Sequence, residues 1–450
     1  MPNFLSSGTL APFIPQLIRD IRVTHGDESQ VGHYTGILVS MSSSSIFHWS
    51  QLSDHIGRKP VVLTALLAIV ISMFSFGLSK TFLGLLVSRI VYGAFHTSDS
   101  MVKSMLMDIT DATNMPAQGI HTFYLALRFT ASTRPLIGGF LSRPANKFRD
   151  IFGRSELLKT YPYLLPCSIS AFFISIIWLV AYIRLRESVS TTGKTPLWEL
   201  IKGRFFGQSY SKPPQPSLVD PGDGSPGEVQ SKPLPLRALL TSKVLSVTAC
   251  YATTGLFQMG FNLVLSVFYA TPIELGGLSL DPPRIGALLA ASGIIHGIFQ
   301  LLFYAHLHDR FGARAMHITG VNSGIPMIIL FPVTNALAQA YGIGMAVWLR
   351  VVVQLTLKTS LIMCFPCMVL FTRAAAPNRA SLGATNGIVM VAVAVARILG
   401  PASAASVFSY SLQEGHDAWS IYYFMIAIAF LAVGTALLLP RDPSVWESSQ

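Results

Sequence analysis

The stretch Gln51-Leu-Ser-Asp-His-Ile-Gly-Arg-Lys-Pro60 separates two apolar segments near the beginning of the chain. It is a short polar turn with one carboxylate, Asp54, one glycine, Gly57, and two cations, Arg58 and Lys59. Such a turn can pair with neighbouring helix ends in one conformation and leave them in another, because charge-assisted hydrogen bonds form only when the helix ends are close. We call residues 51–60 the latch loop. The stretch indicates a membrane protein that changes conformation, and the alternative is a solvated turn.

The composition also indicates a membrane protein. Of the 450 residues, 51% are hydrophobic and 12% are charged, and this charged share is about half that of an ordinary soluble domain. Apolar runs of roughly 18 to 25 residues recur, each long enough to cross the hydrocarbon core of a bilayer as a helix. We therefore expect an all-α, multi-pass integral membrane protein that contacts the lipid bilayer.

The formal net charge of +11 could indicate nucleic-acid binding. However, no soluble segment combines clustered Lys and Arg with interleaved aromatic residues, so no nucleic-acid partner is expected. Cys364 and Cys367 lie in an apolar run without a second pair of metal ligands, which favours packing over a metal site. No phosphate-binding loop of the Gly-x-x-x-x-Gly-Lys-Ser/Thr type occurs, which excludes ATP hydrolysis as an energy source. We expect no cofactor and no metal.

Twelve spans are predicted, six on each side of a polar central segment. They cover residues 3–20, 31–50, 61–79, 82–105, 119–141, 161–184, 243–270, 284–305, 315–335, 342–371, 382–411 and 418–439. The first span begins almost at Met1 and contains Pro12 and Pro15. Its start could therefore be missing or misassigned.

The segment 187–242 is the predicted linker between a six-helix half at 1–186 and a second at 243–450. It is rich in Pro and Gly and has too little apolar surface to fold alone, so we expect it to be disordered. Its many Lys and Arg residues predict a cytoplasmic location, which puts both termini in the cytoplasm. The loop after the fifth span is also basic, but the order of the spans places it outside the cytoplasm. It therefore departs from the rule that positively charged loops are cytoplasmic.

The second half partly repeats the first. His308-Asp-Arg-Phe-Gly-Ala-Arg314 follows the eighth span as the latch loop follows the second. Asp309, Arg310 and Arg314 are therefore the predicted counterparts of the latch-loop charges. Matching polar turns indicate a parallel internal repeat around a central cavity.

Together, the Asp-x-x-Gly-Arg-Lys-Pro turn, twelve spans and the long middle loop resemble the major facilitator superfamily of secondary transporters. Ser88-Arg89-Ile-Val-Tyr-Gly93 is similar to the Arg-x-x-x-Gly feature of that family. Further segments resemble the fungal and plant branch related to the zinc-induced-facilitator-like transporters: Lys103-Ser-Met105, Ile109-Thr-Asp-Ala-Thr-Asn114, Pro135-Leu-Ile-Gly-Gly139, Leu141-Ser-Arg-Pro144, Leu382-Gly-Ala-Thr-Asn-Gly387 and Ala396-Arg-Ile-Leu-Gly-Pro401. The resemblance implies alternating access, in which two halves rock about a midplane site, usually driven by a proton gradient.

Four residues of the fourth span are candidates for proton coupling. Arg89 lies at mid-span depth, where a lone cation is costly, so we expect it to face a cavity. The resemblance implies a role in proton transfer, and the alternative is a structural arginine. Asp99 and Lys103 are four residues apart and can pair, with His96 nearby. This group could relay protons, or it could be a neutralised structural pair.

The fifth span differs from that of the antiporters that this chain resembles. They have glycines where this chain has Thr130 and Arg134. Arg128 adds a second cation. Since glycines there allow close helix packing, an arginine must face the cavity or open the interface. Arg128, Arg134 and Arg397 could bind an anionic substrate. Structural compensation, decay of the sequence and an error in the gene model are the alternatives.

Other polar residues inside spans could line the cavity, namely Gln258, Asn262, Asn386 and Arg397. The amides could equally make hydrogen bonds between helices. Lys358 and Arg350, in the tenth span, are expected to extend toward the interface. Helix packing or hinge positions are predicted at Gly93, Pro135, Gly138, Gly139, Gly400 and Pro401.

The leading functional hypothesis is a secondary transporter that exports a small organic molecule, coupled to protons, at the plasma or vacuolar membrane. Facilitated or coupled transport of an organic anion is a second hypothesis. A degenerate, non-transporting membrane protein is a third. An enzyme is not expected, since no nucleophile, base and orienting group share a usable spacing. We expect a monomer.

Overall fold

A computed structural model describes residues 8–41, 58–95, 133–184, 236–377, 381–413, 415–441 and 446. These residues are mainly helical, and none of them forms a strand. This confirms the prediction of an all-α protein. Within the described residues, six helical stretches are long and apolar enough to cross a membrane.

Six helices of eight or more residues belong to the first half, which we define as the described residues before 185. They are α1 (Ile14–Ile21), α2 (Glu28–Met41), α3 (Arg58–Gly77), α4 (Phe82–Phe95), α5 (133–141) and α6 (Leu164–Arg184). Three short helices, Pro144–Lys147, Arg149–Phe152 and Glu156–Thr160, connect α5 to α6. Residues 8–10 are helical but are separated from α1 by a turn at 11–13. Pro12 lies in that turn, because proline cannot donate the main-chain hydrogen bond that a helix interior needs.

Seven further helices form the second half, the described residues from 236 onward. After a short helix at Leu236–Leu239 come α7 (Ser242–Ala270), α8 (Pro282–Asn322), α9 (Gly324–Tyr341), α10 (Met345–Ile362), α11 (Cys364–Ala375), α12 (Leu382–Ser411) and α13 (Ser420–Leu437). The predicted spans 243–270 and 382–411 agree closely with α7 and α12. The predicted span 342–371 is divided into α10 and α11 at Met363.

The polar turn predicted at 308–314 falls where α8 is interrupted. The backbone of Gly312 is non-helical, with φ 77°, so α8 consists of two helical segments that meet in a kink at this residue. Glycine accepts this positive φ without a steric penalty, so one residue is enough to interrupt the helix. After this break the chain runs back toward the start of α8. The evidence is that the Asn335 side chain of α9 donates to Ile273 O and Gly277 O, which lie in the loop before α8.

Buried apolar side chains form separate clusters in the two halves. One cluster extends from Leu10 to Ile174 and another from Phe257 to Ala429. Val39 of α2 packs against both of them. The halves meet most extensively where α2 packs against α12. The polar groups that connect the halves therefore lie along or beside this contact.

Candidate functional site

Glycines close two helix crossings between the halves. A Cβ atom added at Gly36 of α2 would overlap Ala405 Cβ and lie 3.0 Å from Pro401 O, both in α12. At the second crossing, a Cβ atom at Gly139 of α5 would overlap Pro282 O of α8. Small residues let helix backbones approach closely. The two halves therefore meet main chain to main chain at these points.

Hydrogen bonds join the halves at the same end of the bundle. Arg19 Nη2 donates to Ala270 O over 2.9 Å, and His33 N donates to Ser409 Oγ over 2.7 Å. Ser406 Oγ lies 3.2 Å from the His33 ring. All the inter-half hydrogen bonds that the structure describes are at this end. We call it the closed end; it carries the chain segments 22–27, 142–163, 271–281 and 412–419.

Ion pairs within the first half support the closed end. Arg19 Nε binds both carboxylate oxygens of Glu28, at 3.0 and 2.9 Å. Asp20 forms an ion pair with Arg143, whose Nε is 3.0 Å from Oδ2, and accepts a 2.5 Å hydrogen bond from Tyr163 Oη. Lys147 Nζ donates to Gly139 O over 3.0 Å, at the last turn of α5. These contacts fix the ends of α1 and α5 on which the inter-half contacts depend.

Two pKa shifts at the closed end follow from this geometry. Burial raises the pKa of Tyr163, and the negative charge of Asp20 raises it further, so the phenol keeps the proton that it donates. Burial disfavours the charged form of Arg143, but the hydrogen bonds and the electrostatic interactions with Asp20 and Tyr163 together outweigh it, and the pKa of Arg143 is raised. Both groups therefore stay protonated at neutral pH.

Replacing Asp20 by asparagine is expected to destabilise the closed end. The change leaves Arg143 partly buried without its carboxylate and weakens a charge-assisted bond from Tyr163, at a cost of about 2 kcal/mol. A lower melting temperature of the purified protein in detergent would report this. Asp150→Asn, at an exposed position in the same connection, is the control. Equal melting temperatures for the two variants would contradict the role of Asp20.

The latch loop lies largely outside the described residues, which include neither Asp54 nor Gly57 nor the side chain of Arg58. Lys59 Nζ lies 5.7 Å from the centroid of the Tyr182 ring in α6. In the second half, Arg314 Nη2 donates to Leu437 O at the end of α13, over 2.8 Å. Asp309 is exposed and lies 3.4 Å from His308. Arg310 lies over the Phe311 ring.

Arg89 is buried within the first half, with 2% of its surface exposed. Its guanidinium carbon lies 4.5 Å from the centroid of the Phe76 ring and 5.1 Å from that of Tyr92. Nη2 is 3.6 Å from Met73 Sδ. Among the described residues, Nε has no hydrogen-bond partner. The expectation that Arg89 faces a cavity is therefore wrong for this conformation, because aromatic rings of α3 and α4 cover the cation.

Arg134 packs against the first helical turn of the described chain. A Cβ atom added at Gly8 would lie 2.8 Å from Arg134 Nη1 and 2.9 Å from Cζ. Arg134 is 8% exposed. The absence of a side chain at Gly8 thus makes room for the arginine that replaces the expected glycine. At the neighbouring Gly138, an added Cβ atom would overlap Thr9 O.

The remaining first-half candidates His96, Asp99, Lys103 and Arg128 lie outside the described residues, and Gly93 is buried in α4. In the second half, Gln258, Asn262, Asn386 and Arg397 are all partly exposed. Gly400 allows α12 to approach α7, since its added Cβ atom would lie 2.8 Å from Leu256 O. Pro135 and Pro401 lie at the two crossings of the closed end.

Two features were not predicted. Gly32 and Gly36 have the Gly-x-x-x-Gly spacing, and this signal could have located the α2–α12 crossing. His317 is fully buried, with Nε2 3.1 Å from Cys250 Sγ, and its carbonyl accepts from Cys364 Sγ. These contacts of His317 could not be predicted, because a single histidine in an apolar span does not indicate which cysteines it will meet.

The expectation that Lys358 extends toward the interface is also wrong. It lies on the face of α10 that carries Val351, Gln354 and Leu361, which are 1%, 2% and 0% exposed. Leu349 and Val352, at 64% and 50% exposed, lie on the opposite face. The lysine therefore points into the bundle.

Membrane-length helices in two halves, held together at one end by glycine crossings, define a multi-pass membrane transport protein. The family model of the Major Facilitator Superfamily matches residues 1–401. The chain belongs to this family. The nucleoside transporter NupG has the same fold, with a TM-score of 0.62, 12% sequence identity and 96% of each chain covered. The fold implies twelve transmembrane helices.

Curated relatives agree with this assignment. The chain is 27% identical to the major facilitator-type transporter psiT2 of Psilocybe cyanescens, over 96% of this chain and 87% of the relative. It is 26% identical to the efflux pump azaK of Aspergillus niger, over 98% and 86%. Identity to ZINC INDUCED FACILITATOR-LIKE 1 of Arabidopsis thaliana is 24%, over 96% and 87%. The predicted superfamily and branch are confirmed, as is the expectation that the protein is not an enzyme.

Proposed function

We propose that this transporter exports a small organic molecule by alternating access, with protons moving in exchange. The observation that carries the proposal is the closed end. Its crossings at Gly36 and Gly139 join the halves by backbone contact, and its few hydrogen bonds, from Arg19 and His33, can be exchanged for water. Such a contact can open without leaving a buried charge unpaired. The relationship to an efflux pump supports the direction of export.

We assign the closed end to the side of the membrane away from the cytoplasm. The basic segment 187–242 joins the two halves at the other end, and positive charge favours the cytoplasmic side. Both termini then lie in the cytoplasm, and the conformation is open inward. In this arrangement the latch loop and Arg314 lie on the cytoplasmic side, where contacts would form when that side closes.

Proton coupling would use the charged residues of the fourth span, Arg89, His96, Asp99 and Lys103. Arg89 is held by aromatic rings and a thioether among the described residues, which stabilise a cation less than a carboxylate does. A change in its surroundings during the cycle would therefore alter the proton affinity of neighbouring groups. Asp99 is the carboxylate that the sequence provides ten residues further along the span.

Proteoliposomes provide the test. We expect liposomes with an acidic interior to accumulate at least one of three probes: naphthoate, an anion; naphthamide, its uncharged amide; and rhodamine, a cation. Accumulation should stop when a protonophore removes the gradient. Equal uptake with and without the gradient would contradict proton coupling. Uptake no greater than that of protein-free liposomes would favour the non-transporting hypothesis.

A further inference from the structure

Lys358 lies near the middle of the membrane. It is thirteen residues from Met345, the first residue of α10, which corresponds to about 20 Å of helix. The continuous apolar stretch Met345–Ala375 has 31 residues, or about 46 Å. Lys358 is thus far from both ends of a segment that crosses a hydrocarbon core about 30 Å thick. A lysine at this depth cannot place its ammonium at either interface.

Two other helices of the second half carry polar groups at the same depth. Gln258 is twelve residues from the end of α7, and Arg397 is fourteen residues from the end of α12. Both positions are about 20 Å from the closed end. Lys358, Gln258 and Arg397 are each partly exposed, and the helices α7 and α12 pack along their length. The second half therefore has a polar layer at mid-membrane depth that contains two cations.

Carboxylates are absent from this depth among the residues that the structure describes. Every described acidic residue lies near an end of the bundle: Asp20, Asp27, Glu28, Asp150, Glu156, Glu274, Asp281, Asp309 and Asp417. A buried cation is costly unless an anion or water compensates it. Asp99 of the fourth span lies outside the described residues, and it is the acidic side chain against which the proposal must be tested.

We propose that Lys358 binds the anionic group of the transported substrate, which is an organic carboxylate, and that Arg397 and Gln258, which lie at the same depth, also meet the substrate. The helices at this depth are strongly apolar, which suits an organic body. A hydrated inorganic ion would need more polar ligands. This inference rests on the proposed transport function and identifies the substrate class.

Three variants test the proposal. Lys358→Met removes the charge at similar side-chain length, and Lys358→Arg keeps the charge. Arg350→Met is the control, on the same helix and about 8 Å from its start. Binding of naphthoate and naphthamide to the purified protein in detergent, without any proton gradient, is measured by the shift in melting temperature and by equilibrium dialysis. Wild type and Arg350→Met should bind naphthoate at least about tenfold more tightly than naphthamide. Lys358→Met should lose this preference, and Lys358→Arg should retain most of it.

The melting temperature without ligand is a second readout. Lys358→Met should melt at the same or a higher temperature than wild type, because a cation in an apolar interior has been removed. A marked decrease would overturn the proposal, since it would show that Lys358 is paired with an internal carboxylate. Asp99→Asn should leave naphthoate binding unchanged or stronger, and loss of binding in that variant would also overturn it.

The proposed function and this inference can fail separately. If wild type shows no preference for naphthoate, or if Lys358→Met keeps the preference, the assignment of Lys358 is overturned, even when a proton gradient drives transport of another probe. If naphthoate binding depends on Lys358 but its flux ignores the gradient, the anion site stands and proton coupling fails.

Discussion

Replacing Gly36 by leucine is expected to reduce transport to the level of protein-free liposomes. The first side-chain carbon would overlap Ala405 Cβ and press on Pro401 O, and neither atom can withdraw without moving α12. The closed end could then not form, so the cycle would stop with that end open. Flux of the best probe in proteoliposomes measures the loss.

The proposed cause can be measured separately from the flux. The four native cysteines are buried, so a cysteine introduced by Ser409→Cys, at the position that accepts from His33 N, can serve as the reporter. A membrane-impermeant maleimide should label it strongly in the Gly36→Leu background and weakly with Gly36 intact. Gly434→Leu is the matched control, because a Cβ atom there meets no described atom within 4 Å. Normal flux and weak labelling in Gly36→Leu would show that the crossing is not needed.

Replacing Arg89 by methionine is expected to reduce gradient-driven flux at least about a hundredfold, the lower end of the usual effect of losing a required proton-transfer group. Methionine fills a similar volume between Phe76 and Tyr92, so the fold should persist. The melting temperature should be unchanged or higher, because replacing a buried charge by a well-packed apolar side chain is often stabilising.

Arg284→Met is the control for Arg89, since that side chain is 59% exposed at the start of α8. The informative comparison is flux with the gradient divided by flux without it. A ratio near one in Arg89→Met, with flux retained, would indicate loss of coupling alone. An unchanged ratio together with a lower melting temperature would show that Arg89 is structural.

The membrane-length elements could be predicted because their length depends on local composition. The predicted 382–411 coincides with α12, and 243–270 differs from α7 by one residue at its start. The charges at 308–314 predict a break between two helices, but they do not predict how short it is. Gly312, with a positive φ, interrupts the helix there, and the flanking charged residues are helical.

Composition could not predict the direction in which the polar side chains of the spans point. Lys358 and Arg350 look alike in a hydropathy profile, yet the position of Lys358 relative to buried Val351 and exposed Leu349 decides that it points inward. Arg134 shows the same limit. Its neighbour Gly8 is distant in sequence, so the space that accepts the guanidinium exists only once the helical turn at residues 8–10 packs against α5.

The way the closed end is built has a consequence for how this protein could change over evolutionary time. Closure at Gly36 and Gly139 depends on main-chain surfaces and on the absence of side chains, whereas the groups proposed to meet the substrate are side chains at mid-membrane depth. Substitutions at Gln258, Lys358 or Arg397 would leave the surfaces that close the end unchanged. A lineage could therefore acquire a new cargo by a few interior replacements while inheriting an unaltered means of opening and closing.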